Sequence, residues 1–418
     1  MPISRGTVRH NISENISDLC KSLLQPSLLK SPSEADVLNF GISVSKLFPD
    51  AHVSLFPYAR TCLYATLRSL QLPKGSKVLM TPITIGPMVE VIESLGYEVI
   101  FVDIETVSFG PSLDDLELKL KTDAACFLLT HLFGYVSAVD KIMAMCHSAG
   151  VMVIEDISHN IGSKLGDLPL GLWGDVGFYS ASLLKYVDGY NGAFTMTRNS
   201  AIAAAIERES ELLTEPDPFR VRASVMKTLI WNLALNRTFF SLLTWPALRI
   251  LKVINRNLFE RLLGPGIPFK KSQDLPRFYF EKITKLQCVA IMRNIDKLSD
   301  RLSMRKKSAS HALKALESFG SGSISQVKRE TVLASDNTYW QFVVPVNDTE
   351  AARSALFDSS VETNTTNLRD LAYEYGIELP NARALKNNYI FIPLHDFLAE
   401  DDYRRILGVL NRAGQLNL

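Results

Sequence analysis

Asp156 and Lys185 are the two side chains of this 418-residue chain whose setting points to chemistry. An apolar run, Val151 to Ile154, leads into Asp156. A second, Val176 to Tyr179, leads into Ser180, and Lys185 follows five residues later. A carboxylate at the tip of one buried strand and a lysine just past another form the pair that pyridoxal phosphate chemistry requires. The lysine carries the cofactor as a Schiff base, and the carboxylate keeps the ring nitrogen protonated so that the ring accepts electrons. The plainer readings are a surface lysine and a strand-end turn acid, the usual fates of such residues. Glu155, beside Asp156, reads as such a turn acid.

The elements that position this pair alternate in type. Helical periodicity runs from Thr61 to Leu70 and stops at Pro73-Lys74-Gly75. Buried strands are expected at KVLMTPITI, EVIFVDI and AACFLLT, and helices at PMVEVIESLG, SLDDLELKL and VDKIMAMCHSAG. Near-continuous apolar strands alternating with helices predict an α/β fold, a mostly parallel sheet covered on both faces. In such sheets the site lies outside the carboxyl ends of the strands, where Asp156, Ser180 and Lys185 all fall. Beyond Ile283 come a long amphipathic helix or helix pair to Phe319, then strand WQFVVPV, helix DTEAARSALF, strand YIFIPL and helix AEDDYRRILGVLNRAG. The expected organisation is an N-terminal arm (1–50), a large α/β domain (51–275) and a small C-terminal α+β domain (276–418).

Composition narrows the class. A hydrophobic content of 47% and a formal charge of +1 describe a globular protein and give no sign of nucleic-acid binding. Five scattered cysteines without a CxxC pair predict free thiols in a reducing cytoplasm, with no zinc site and no metal. The first twenty residues hold no apolar signal segment.

The blocks from Phe56 to Phe194, and more weakly from Ile283 onward, resemble the DegT/StrS family of sugar aminotransferases, of pyridoxal phosphate fold type I. VIEDISHNIGSKLGDLPLGLWGDVGFYSASLLK is similar to that family's strand–Asp–loop–strand–Ser–Lys segment. KVLMTPITI, EVIFVDI and HLFGYVSAVDKI follow its preceding blocks in order. The resemblance implies that Lys185 forms the Schiff base and moves the substrate proton, while Asp156 pairs with the ring nitrogen. His159, where the family commonly has glutamine, would touch the cofactor's edge, and Ser180 its phosphate. Arg60 and Thr61, at the start of a helix, would also serve the phosphate, Arg60 replacing a small residue. Ile85 stands where the family places a stacking aromatic ring. Phe280, Glu281 and Lys282 occupy the place of a partner-subunit motif. The implied substrates are an amino acid such as glutamate and a keto-sugar, nucleotide- or lipid-linked, in a homodimer. A lyase or dehydratase on the same scaffold, or a non-catalytic membrane-associated regulatory protein, are the alternative readings.

One stretch, 219–268, looks unlike the family. Between Arg220 and Arg261 it carries eight Arg or Lys residues against Glu260 alone, together with Trp231 and Trp245. It has no apolar run long enough to span a bilayer. Its aromatic side chains beside basic ones fit a helix lying in a membrane interface, with Trp231, Phe239, Phe240 and Trp245 exposed at the inner surface. They fit equally a helical pair packed on the small domain or on a partner.

Overall fold

A computed structural model describes residues 1–6, 8–263, 274–319 and 336–417; positions 264–268 of the expected insert lie outside these. Seven strands form the main sheet: β1 (His52–Phe56), β2 (Lys77–Met80), β3 (Glu98–Phe101), β4 (Ala124–Thr130), β5 (Met152–Asp156), β6 (Val176–Ser180) and β7 (Ala193–Thr197), in the order β1-β7-β6-β5-β4-β2-β3. The pairings from β6 to β3 are parallel, and only those of β7 with β6 and β1 are antiparallel. The mostly parallel α/β sheet expected from the sequence is the one observed.

Side chains of successive strand residues point to opposite faces, and both faces are covered. Met80, Leu128, Ile154 and Phe178 enter one apolar core. Leu79, Phe127, Leu129, Val153 and Tyr179 enter the other. This explains why the strands read as unbroken apolar runs. The same alternation sends Glu155 and Asp156 to opposite sides of the sheet.

The stretch expected as a long helix or a pair is a pair, Lys285–Asp296 and Leu298–Glu317. The first is capped by Thr284, which exchanges hydrogen bonds with Gln287. Strands Phe342–Pro345 and Tyr389–Ile392 pair antiparallel near helices Thr349–Asp358 and Glu400–Arg412. The N-terminal segment holds two helices, Ile12–Leu24 and Glu34–Ser45. It is tied down by polar contacts: the Tyr190 hydroxyl donates to Asp18 (2.7 Å) and Arg293 pairs with the same carboxylate (2.6 Å).

The unfamiliar stretch forms a helix at Pro218–Leu235, a second from Arg237 to Ile254, and a third at Arg256–Leu263. The second widens into a π turn over Phe240–Thr244. Pro246, which has no N–H for the ladder, stands two residues beyond its end. The aromatic residues do not act as four exposed anchors, which corrects that expectation. Phe240 and Trp245 are buried, Trp245 against Phe357 with ring centroids 4.5 Å apart, and Trp231 is half-buried. Only Phe239 is exposed. The rings of Phe240 and Trp245 fill the seam with the C-terminal unit beside Phe357, so the packed-helix reading holds for these two alone.

Candidate active site

The two chemical residues meet because β5 and β6 are parallel neighbours. Asp156 ends β5 and pairs in register with Phe178 of β6. Ser180 ends that strand, and the turn after it carries Lys185. Asp156, His159, Ser180 and Lys185 line one cleft of about 150 Å³, together with Ala59, Ile85 and His131.

Lys185 follows a tight turn in which its own N–H donates to the Ser182 carbonyl (3.1 Å). Leu184 has a φ of +70°, a conformation that costs a leucine about 1–3 kcal/mol and needs outside support. Trp340 supplies it: the indole Nε1–H donates to the Leu184 carbonyl (3.2 Å), and Lys185 Nζ lies 4.5 Å from the indole centre. The other edge of the cleft is tied to the same ring. His159 stacks on Trp340 at 3.8 Å and 9°.

Trp340 comes from far along the chain, and its approach depends on Gly134. That residue has a φ of +88°, and a Cβ there would sit 2.3 Å from the Trp340 backbone nitrogen. The Thr338 N–H donates to the Gly134 carbonyl (2.9 Å). Arg305 holds the segment from behind, donating to the carbonyls of Tyr339 (2.8 Å) and Trp340 (2.6 Å).

Burial sets the charges. Loss of hydration pushes the Lys185 ammonium down to about 8, against the pull of the Asp156 charge. The same loss raises the Asp156 carboxyl, while bonds from Ser158, then the electrostatic influence of Lys185 and His131, favour its ionised form. The Ser158 N–H donates to Asp156 Oδ1 (2.9 Å). His159 is held well below the ordinary histidine value, first by burial and then by Lys185. It is therefore neutral. Its Nδ1 accepts the Phe133 N–H (3.2 Å), which leaves the proton on Nε2 as a donor, the role an amide would fill.

Glu155 is no turn acid, contrary to the sequence reading. Its side chain is fully buried and lies 2.9 Å from His131 Nε2. It accepts backbone N–H groups from Gly171 (3.0 Å), Trp173 (2.8 Å) and Gly174 (2.7 Å). These bonds fix both the loop ahead of β6 and the ring of His131. Arg60 and Thr61 are not brought to the cleft. The Arg60 guanidinium lies over the rings of Tyr58 (4.3 Å) and Tyr279 (4.1 Å). Thr61 gives its N–H to the Tyr58 carbonyl and its hydroxyl to that of Tyr279. Their helix, Ala59–Ser69, reaches the cleft through Ala59. Glu155 was misread, and Trp340 and His131 were missed; of these two only His131 left a signal, standing in the HLFG block.

The residues suit pyridoxal phosphate. The cleft joins a buried carboxylate, a lysine of lowered basicity, a neutral imidazole donor and the start of a helix, which favours phosphate. Buried polar atoms on its wall, Thr130 Oγ1 and His131 Nδ1 among them, have no hydrogen-bond partner among the described residues, as expected of groups awaiting a polar ligand.

Comparison with known proteins follows the same line. Residues 14–212 match the profile of the DegT/DnrJ/EryC1/StrS aminotransferase family. GDP-perosamine synthase of Escherichia coli O157:H7 is 26% identical over 140 residues, 34% of this chain and 38% of that protein. A dTDP-4-dehydro-2,3,6-trideoxy-D-glucose 4-aminotransferase of Saccharopolyspora spinosa is 29% identical over 133 residues, 32% and 34% of the two chains. The chain thus matches little more than a third of the length of these relatives. An aminotransferase from Psychrobacter cryohalolentis superposes with a TM-score of 0.73 at 15% identity, covering 98% of both chains. The fold is that of the fold-type-I aminotransferases.

Proposed function

Because residues 14–212 are a domain of the DegT/DnrJ/EryC1/StrS aminotransferase family, we propose that the whole chain is a pyridoxal phosphate-dependent aminotransferase. It takes an amino group from an amino acid, glutamate in this reading, and passes it to a keto-sugar linked to a nucleotide or a lipid. The observation that carries this reading is the placement of Asp156 and Lys185 on one cleft at the carboxyl ends of neighbouring parallel strands.

In this reading Lys185 holds the cofactor, Asp156 faces its ring nitrogen, His159 donates from Nε2 to its edge, and Ser180 with the Ala59 helix start takes its phosphate. The cofactor, once bound, supplies an electron sink for the charge left on the substrate carbon. The chain supplies the proton transfers. A lysine amine poised at about 8 can both take a proton from the substrate carbon and return it near neutral pH. The indole of Trp340 shields that amine from water on one side and keeps the turn at Leu184 in place. A positive group facing Asp156, the lysine or a ring nitrogen, favours its ionised form against the cost of burial, and the backbone bond from Ser158 fixes its direction.

A homodimer belongs to the reading, since Ile85 is 37% exposed at the cleft and open to cover by a second subunit. So does a cytoplasmic site, in keeping with five free cysteines, four of them buried. The test is a half-reaction. Protein loaded with cofactor and given glutamate alone should release one equivalent of 2-oxoglutarate per site and then stop. Continuous release without an acceptor would mark a lyase.

A further inference from the structure

Ten of the 24 exposed large apolar side chains among the described residues lie between Phe219 and Leu258. That concentration, in a tenth of the chain, needs an explanation. On the helical stretch Arg237–Ile254 they are Phe239, Leu242, Leu243, Ile250, Val253 and Ile254, recurring at spacings that keep one face outward. Val253 is 86% exposed and Ile254 76%. The opposite face carries Phe240, Trp245, Leu248 and Leu251, already packed with Phe357. A helix apolar on both sides is ordinarily covered on both sides. Here only the inner side has a partner among the described residues.

We propose that this outer stripe, Phe239 to Leu258, seats the protein on the surface of an anionic lipid bilayer, with the helix lying in the interface. No helix among the described residues is long and apolar enough to cross a membrane, so the contact is peripheral. Charge selects lipid over a second copy of the chain. From Pro218 to Leu258 there are seven Arg or Lys residues and no Asp or Glu. Lys252, Arg256 and Arg220 are answered by Asp358, Glu350 and Glu281. Lys227, Arg237 and Arg249 are exposed and have no acidic partner among the described residues. A two-fold pairing would set this face against itself, like charge on like. Anionic headgroups offer the opposite sign beside an apolar layer. The aliphatic residues, not the buried Phe240 and Trp245, are the inserting groups.

The proposal is independent of the chemistry at Lys185. Purified full-length protein should float with phosphatidylglycerol–phosphatidylcholine vesicles, less at high salt, and weakly with phosphatidylcholine alone. The triple substitution Ile250→Ser, Val253→Ser, Ile254→Ser changes only outward side chains. It should leave the circular dichroism unchanged and weaken vesicle binding about ten-fold or more. Charge reversal at Lys227→Glu and Arg249→Glu, with the stripe intact, should remove the salt-sensitive part. Absence of vesicle binding, or equal binding by the triple variant, overturns the proposal. So does a triple variant that merely sediments as a smaller species, because the stripe would then be a contact between copies.

Discussion

Glu155→Gln tests the architecture around the site with little change in shape. In the native protein Oε1 accepts from Trp173 and Gly174, and Oε2 accepts from Gly171 while lying 2.9 Å from His131 Nε2. A glutamine keeps one accepting oxygen. Its best placement puts that oxygen at the Oε1 position, which preserves two bonds but without the charge. The amide nitrogen then faces the Gly171 N–H, donor against donor, while His131 can change tautomer to accept from it. Hydrogen bonds to a charged group are worth about 1.5–3 kcal/mol and neutral ones about 0.5–1.5. Three bonds weakened by about 1 kcal/mol each, with one orphaned donor at about 1–3, sum to roughly 4–6 kcal/mol. That is a large part of the stability of an ordinary domain. Urea unfolding of the cofactor-free protein, followed by circular dichroism, measures it. Because the loop ahead of β6 and His131 both depend on this carboxylate, affinity for pyridoxal phosphate should fall as well. A stability loss below about 1 kcal/mol would refute the reasoning, since it would mean that the four contacts are not the carboxylate's to lose.

Three other perturbations follow from the same geometry. Asp156→Ala should still retain cofactor through Lys185 but slow turnover by about two orders of magnitude or more; near-normal turnover would place a different acid at the ring nitrogen. Trp340→Phe should keep the stack on His159 but lose the bond to the Leu184 carbonyl, whereas Trp340→Ala loses both. Turnover and cofactor affinity should fall in that order, and an alanine variant equal to wild type would remove Trp340 from the account. Lys185→Met should stabilise the cofactor-free protein at pH 7 by about 1–3 kcal/mol, because burial lowers the ammonium from 10.5 to about 8. Between those values the unfolded chain binds more protons, so native stability from this group rises with pH. The advantage of the variant should therefore shrink from pH 8 and vanish above about pH 10.5, and pH-scanned denaturation would show it.

What the sequence made legible was local. Apolar runs marked β4, β5 and β6 because both sheet faces are buried, and their ends carried Asp156 and Lys185. The sequence order of these strands also implied a parallel sheet, and so a site at one edge. Trp340 was invisible for the opposite reason: it lies 155 positions from Lys185, and only the close backbone approach at Gly134 brings it home. Glu155 was misread because a strand-end acid looks the same whether it faces water or three backbone N–H groups. Thr61 sat at the expected helix start, yet its donors are spent on Tyr58 and Tyr279, a contact no local pattern announces. In the stretch after Phe219 the aromatic residues drew attention as the exposed anchors. The fold uses Phe240 and Trp245 as packing and leaves aliphatic residues outside.

The central claim is that Lys185 is the cofactor-bearing residue of this cleft. Protein incubated with pyridoxal phosphate, reduced with borohydride and digested should yield one modified peptide, carrying the label on Lys185. Pre-treatment of a Lys185→Ala variant in the same way should leave no stable label. A modified peptide from any other lysine, or an unmodified digest, would contradict the account.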